Sequence, residues 1–392
     1  MSSCTDREIN PNASRMTNDA ILSRTISYLR VPLTIGVVFI HFSLQRGLEI
    51  HGVFHGLNNP GWFFFIVNLM SEVIARLCVP TFFIISGFLF YYRCDFDQRA
   101  YQRKLRSRAR SLLIPYLLWN LIAILWQLKC FLPIVSHYFR PVEIDLTLSR
   151  VINTFFFNSD NQGIFIGPAP SVPNPETYPI DGPFWYIRDL MVMVAASPII
   201  YWLTKRIKAL LPAVLFVLWI ATPFLFPAGG YITMLITASF FFAWGAYYSI
   251  HHKSFVLQLS QLKYLGCIYP ILAIADALTK GAPFNAYLHR AGIIFGIILI
   301  VSIAAGIVAR GKDKTWQPLA DSCFFIYALH GIIIGDIGKF LFTILHVPEN
   351  NPYCMLALYF GTPVLCIAMS IGLHRMLKKY VPPISRVLNG GR

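Results

Sequence analysis

Arg30 and His41 stand eleven residues apart in the apolar stretch YLRVPLTIGVVFIHF, from Tyr28 to Phe42. Eleven helical steps of about 100° return to within about 20° of the starting azimuth, with a rise of roughly 16 Å. One helix face would therefore carry a guanidinium near one membrane surface and an imidazole past the bilayer middle. A guanidinium can hold a polyanion, and an imidazole titrates near neutral pH and serves as general base or nucleophile. The competing reading is a snorkelling arginine and a hydrogen-bonded histidine that packs two helices.

The elements that position these residues are membrane-spanning helices. Of 392 residues, 56% are hydrophobic and 13% are charged, about half the charge fraction of an ordinary soluble domain. Apolar runs of roughly 20 residues recur along the chain, long enough to cross the hydrocarbon core. The reading is an all-α polytopic membrane protein of about ten spans: 26–45, 62–92, 111–130, 184–204, 209–226, 231–250, 264–279, 286–308, 319–342 and 353–377. The second is too long for one straight crossing, so tilt or an extension is expected. No alternating ten-residue pattern of a membrane β-barrel is present.

Basic residues sort the loops. RCDFDQRAYQRKLRSRAR follows span two, Lys205, Arg206 and Lys208 follow span four, RGKDK follows span eight, and Arg375, Lys378, Lys379 and Arg386 follow or end span ten. The positive-inside rule places these, and both termini, in the cytoplasm. It also accounts for the net charge of +15 without nucleic acid. Residues 1–25 read as a polar cytoplasmic tail with no signal-peptide core, 26–380 as the membrane domain, and 381–392 as a cytoplasmic tail. The opposite-face loop 131–183 is rich in Pro, Gly, Asn and aromatics, and connections of that length are disordered or functional.

Eight cysteines are scattered without CxxC spacing, so no metal site is expected. Cys78, Cys267, Cys323 and Cys366 read as core residues, and a Cys130–Cys354 disulfide stays open. Further ionisable residues fall inside spans, where each needs a partner or a polar cavity. Glu72 with Arg76 and Asp336 with Lys339 have the spacing of helix-face pairs. Arg188 and Asp189 are adjacent and differ in azimuth, so each is expected to need its own partner. His289, Arg290, Asp321 and His330 complete the set.

These residues resemble the membrane-bound acyltransferase-3 family. Its first-span Arg, ten residues, His pattern is met by Arg30 and His41. ARLCVPTFFIISGFLFYYR is similar to its second-span pattern through Arg76, Pro80, Phe83, Ser86 and Gly87. RSRARSLLIPYLLW resembles its Arg-rich approach to a Pro-Tyr in span three. GPFWYIRDL, SFFFAWGAYY and DSCFFIYALHGII resemble later segments and supply Trp185, Arg188, Asp189, Ser322, Tyr327 and His330.

The resemblance covers about residues 24–380 and implies an O-acyltransferase of the bacterial inner membrane. It implies acyl-CoA, most often acetyl-CoA, as donor substrate with no bound cofactor. A hydroxyl of a lipid-linked or surface glycan would be acceptor, with glycan-biosynthesis proteins as partners. On this reading His41 is base or acyl acceptor, aided by Arg30 and His330. Arg76, Ser86, Trp185, Arg188, Asp189 and Tyr327 would contact substrate, and Arg103, Arg106 and Arg110 would bind acyl-CoA. A transporter or flippase for a lipid or glycan precursor is the alternative, since it too needs buried charges.

Overall fold

The computed structural model describes residues 18–50, 53–132, 143–158, 162–166 and 177–391. Its first helix, α1 (Asn18–Ile40), begins eight residues before the expected span and ends five before its expected close. His41 is thus the first residue beyond the helix, at the start of a turn that leads to a hairpin of β1 (Leu48–Ile50) and β2 (Val53–His55). Residues 18–25, read as tail, are helical, and residues 1–17 lie outside the described residues.

The long second span resolves into a helix that changes register. α2 (Gly61–Val67) passes into a π-helical stretch, Asn68–Ile74, then a 3-10 turn, Ala75–Leu77, then α3 (Cys78–Tyr91). Such π segments gather at functional sites, and this one contains Ser71 and Glu72 and ends two residues before Arg76. The basic run after it is the start of the next helix: α4 (Gln98–Arg108), a π segment Ala109–Leu113, and α5 (Ile114–Gln127). Asp97 caps it, its Oδ1 accepting from Ala100 N at 2.6 Å.

The fourth expected span is broken. α7 (Trp185–Ala195) and α8 (Ser197–Ile207) meet at a 64° bend. Pro198 lacks the N–H needed for a continuous helix and its ring would collide with the preceding turn. α9 (Leu210–Leu225) is short, and α10 (Tyr231–Ile250) matches its expected limits. Residues 264–279 form two short helices, α12 (Lys263–Gly266) and α13 (Tyr269–Leu278), after α11 (Phe255–Gln261). α14 (Asn285–Ala309), α15 (Gln317–Ile344) and α16 (Pro352–Tyr380) are long, and α17 (Pro382–Leu388) ends the bundle. Among the described residues seven helices are long and apolar enough to span, and the bent pair makes eight. The chain is an all-α polytopic membrane protein apart from two small strand pairs. Exposed Val217, Phe224, Ile271 and Val364 present side chains that lipid covers at no cost.

Two glycines set the tightest helix seam. A Cβ on Gly87 would lie 2.1 Å from Phe242 O, and one on Gly245 would lie 2.0 Å from Ile84 O. α3 and α10 therefore touch backbone to backbone, which explains both S-G and F-x-x-G segments. The C-terminal residues also dock: Trp119 Nε1 donates to Leu388 O at 3.1 Å, and Asn389 Nδ2 meets His374 Nε2 at 3.1 Å.

The segment read as a loop, 131–183, holds α6 (Leu148–Phe156) and the pair β3 (Glu143–Ile144) with β4 (Phe165–Ile166). Residues 133–142, 159–161 and 167–176 lie outside the described residues. Cys130 and Cys354 are free thiols, so the disulfide is not formed, and Cys267 is exposed rather than core.

Candidate active site

α1 and α15 bring the chemistry together. Both rise from the end where the basic loops gather, an end marked by the Arg93–Asp19 pair at 2.6 Å and the Arg24–Asp313 pair. Cys323 Sγ lies 3.9 Å from Arg30 O, and further along both helices the rings of His41 and His330 lie 5.1 Å apart. The α1 face carrying Arg30 and Thr34 therefore meets the α15 face carrying Cys323, Tyr327 and His330.

A cavity of about 460 Å³ opens beside this seam. Arg30, Thr34, Ser86, Arg108, Tyr186 and Tyr327 are among its polar lining, and among the described residues no carboxylate lines it. Two guanidinium groups without a described carboxylate suit the cavity to an anion, since the compensating charge must come from a ligand or solvent. The spacing of the basic run does not single out Arg108. It is the arginine at the cavity, half-buried, while Arg103, Arg106 and Arg110 lie on exposed faces outside it. Their spacing fixes the difference: α4 and the π segment that follows turn only one face toward α7 and α1.

The cavity ends at Tyr327. Its hydroxyl donates to Pro183 O at 2.6 Å and its ring stacks on Phe184 at 5.5 Å, so it acts as a fixed wall. The His330 ring lies 6.0 Å beyond. His330 Nδ1 is 3.1 Å from Ile326 O. A carbonyl only accepts, so Nδ1 carries the proton and Nε2 presents a lone pair. That Nε2 is buried and has no hydrogen-bond partner among the described residues. A buried lone-pair nitrogen beside a second imidazole is suited to accept a proton or to orient its neighbour. Ser86 Oγ is 2.8 Å from Tyr186 OH, a hydroxyl pair in the cavity wall.

The other expected site residues are placed elsewhere. Arg76 pairs with Glu72 through Nη2 at 2.7 Å, as their spacing implies. It lies within electrostatic range of His41 but outside the cavity. Trp185 is partly buried and packs near Phe83. Arg188 and Asp189 pair with each other, Nε to Oδ1 at 2.8 Å, contrary to the separate partners expected. The long guanidinium arm folds back across the difference in azimuth. Arg188 Nη1 also donates to Phe156 O at 2.7 Å and Thr177 O at 2.8 Å, and its guanidinium lies over the Tyr231 ring. This pair pins the segment after α6 to the bundle. Asp336 takes Lys129 and Trp126 as partners, a helix-to-helix tie that helix-face spacing could not reveal.

A family model described as "Acyltransferase domain", the acyltransferase-3 model, matches residues 24–371. The chain belongs to this family. The match runs from the base of α1 into α16 and so takes in the histidine pair and all of the cavity lining but Leu22 and Ser23. The chain is also similar to the succinoglycan biosynthesis protein ExoH of Rhizobium meliloti (strain 1021), 24% identical over 394 residues that cover 95% of this chain and 94% of that protein. No solved structure matches the chain. The chain is thus a membrane acyltransferase, and of its motif residues Arg30, His41, Tyr327 and His330 meet at the α1–α15 seam.

Proposed function

We propose that this protein moves an acyl group, acetyl by preference, from cytoplasmic acyl-CoA to a hydroxyl of a cell-surface or lipid-linked glycan. The observation that carries the reading is the cavity, with no carboxylate among its described lining residues, that opens toward the basic end and closes at Tyr327, three residues, about one helical turn, before His330 of the His330–His41 pair. Coenzyme A is a cytoplasmic polyanion, and Arg30 with Arg108 would take its phosphates by charge-assisted contacts. The acyl thioester would then reach past Tyr327 to His41. Guanidinium groups outside the cavity, Arg103, Arg106 and Arg110, would serve orientation in the membrane and draw the anion inward.

His41 would act as acyl acceptor or as base, with His330 Nε2 as its proton partner. The oxyanion of acyl transfer needs fixed donors. Ser86 and Tyr186 line the cavity wall, whereas the Tyr327 hydroxyl is already committed to Pro183. A glycan acceptor is supported by the relative's name, which ties that protein to biosynthesis of a glycan. The setting is the bacterial cytoplasmic membrane, with α9 and the α12–α13 segment completing ten crossings and both termini cytoplasmic.

The test is thiol release from radiolabelled acetyl-CoA by purified protein, with envelope glycan extract as acceptor. Wild type should release thiol and label the glycan, and His41→Ala should lose at least about 10³-fold, the scale of removing an acting nucleophile or base. Equal rates in both would remove His41 from the chemistry. Silence in both, with succinyl-CoA also inert, would return the protein to the transporter reading.

A further inference from the structure

A second histidine site joins α13 to α14 outside the cavity lining. His289 Nδ1 is 2.7 Å from Asp276 Oδ2, and Asp276 is only 1% exposed. The other carboxylate oxygen receives Lys280 Nζ at 2.8 Å and Asn285 Nδ2 at 2.9 Å. A carboxylate matched by a lysine and bonded to Nδ1 fixes the ring as its Nδ1–H tautomer, with the lone pair on Nε2. That nitrogen makes no hydrogen bond among the described residues, and the side chain is 23% exposed. The α13–α14 turn is already closed by Asn285, which also bonds Asp276 O and Thr279 Oγ1. His289 is not needed to close it.

This dyad and His41 flank one element. The π-helical stretch 68–74 bonds the last turn of α1 through Ser71 Oγ to Phe39 O at 2.7 Å. It meets the dyad through Lys280 Nζ to Glu72 O at 3.4 Å. Arg76, one turn on, lies within electrostatic range of both imidazoles. The depths agree as well. Arg24 and Asp313 pair at the basic end; from there His41 is seventeen helical residues up α1, about 25 Å, and His289 is twenty residues above Ala309 along α14, about 30 Å.

The geometry points to the Asp276–His289 dyad as the proton acceptor for the incoming hydroxyl. This rests on the acyl-CoA reading above. In the first half-reaction His41 bonds the acyl carbon, the C–S bond breaks, and the thiolate takes a proton from solvent. In the second the acceptor oxygen bonds the acyl carbon, its proton passes to His289 Nε2, and the C–N bond to His41 breaks. The acylated ring still carries its other N–H, so it leaves as neutral imidazole. His289 then returns its proton to solvent, and Asp276 stabilises the imidazolium in between. Asp276 is a positioning residue.

The experiment separates the halves in full-length protein. Thiol release from acetyl-CoA is followed with hydroxylamine as acceptor, a nucleophile that needs no base, and with envelope glycan extract. His289→Gln should lower the ratio of glycan transfer to hydroxylamine acylation by about 10²-fold, the usual contribution of a general base. Asp276→Asn should shift the acid limb of the glycan-transfer pH profile while the hydroxylamine profile stays put. The groups facing His289 in that titration are Asp276, Lys280, Arg76, Glu72 and Tyr269. An unchanged ratio in His289→Gln, or equal loss with both acceptors, overturns the assignment. Loss of thiol release in wild type itself would instead sink the acyl-CoA reading beneath it.

Discussion

Arg30 with Arg108 and Arg188 with Asp189 are charged pairs in one bundle, and the fold treats them in opposite ways. The first two face a cavity with no carboxylate among its described lining residues. The second two are 3% and 0% exposed and bond each other, and Arg188 also bonds two loop carbonyls and covers an aromatic ring, although Arg188 Nη2 and Asp189 Oδ2 stay without a hydrogen bond among the described residues. A buried charge with internal partners holds shape, and a charge left without them is held ready for a ligand. The dyad at His289 combines both: its carboxylate is saturated and its outer nitrogen is spare.

The sharpest way to break this contrast is to remove one arginine from each pair. Arg188→Met leaves Asp189 buried against apolar walls and frees the segment after α6. It should cost about 3–5 kcal/mol, the usual result of orphaning a buried charge. Arg108→Met should leave the melting temperature in detergent unchanged or raised, because no protein group loses a partner. Equal destabilisation by both would show that the cavity arginine is structural.

The same contrast predicts binding. Arg108→Ala should raise KM for acyl-CoA by about 10- to 100-fold with kcat nearly constant, the loss of one charged hydrogen bond. Arg103→Ala, on the exposed face of α4, should leave KM as it is at moderate salt. Steady-state kinetics over a range of acetyl-CoA decides both. If the two variants behave alike, the basic helix acts by its summed field rather than through the cavity.

A smaller effect tests the seam beside the cavity. Gly87→Ala puts a methyl group against the Phe242 carbonyl, and backbone on both sides cannot yield. It should cost about 1–3 kcal/mol. Gly61→Ala meets nothing within 4 Å and should be neutral in the same thermal melt.

Much of this was legible in the residues. The Arg30–His41 register placed both on the face that meets α15, and span limits such as Tyr231–Ile250 followed from apolar run length. Arg108 was not legible, because a run of seven basic residues does not say which one a π segment turns inward. Asp276 escaped notice for another reason: its partner His289 lies thirteen residues away across a turn, where no helical period connects them. The Arg188–Asp189 pair is not legible in the spacing, because azimuth ignores the reach of a long side chain. The 64° bend at Pro198 could be located but not measured, since the neighbouring helices set its angle.

The smallest effect lies at the rim, where a charge pair is half in solvent. Asp313, between α14 and α15, is held below the usual carboxylate range, chiefly by its hydrogen bonds from Arg24. Between its folded pKa and about 3.9, the value of a free carboxyl, the unfolded chain binds more protons than the folded one. The pair's contribution is therefore complete above about pH 5 and is lost as pH falls through the folded pKa. Asp313→Asn should melt lower than wild type by a constant small amount from pH 7 to 5. The two curves should converge only once pH has fallen below that lowered folded pKa, and high salt should shrink the gap at every pH. A gap that persists at low pH would mean the side chain acts there through packing, and would place this rim contact with the buried pair rather than against it.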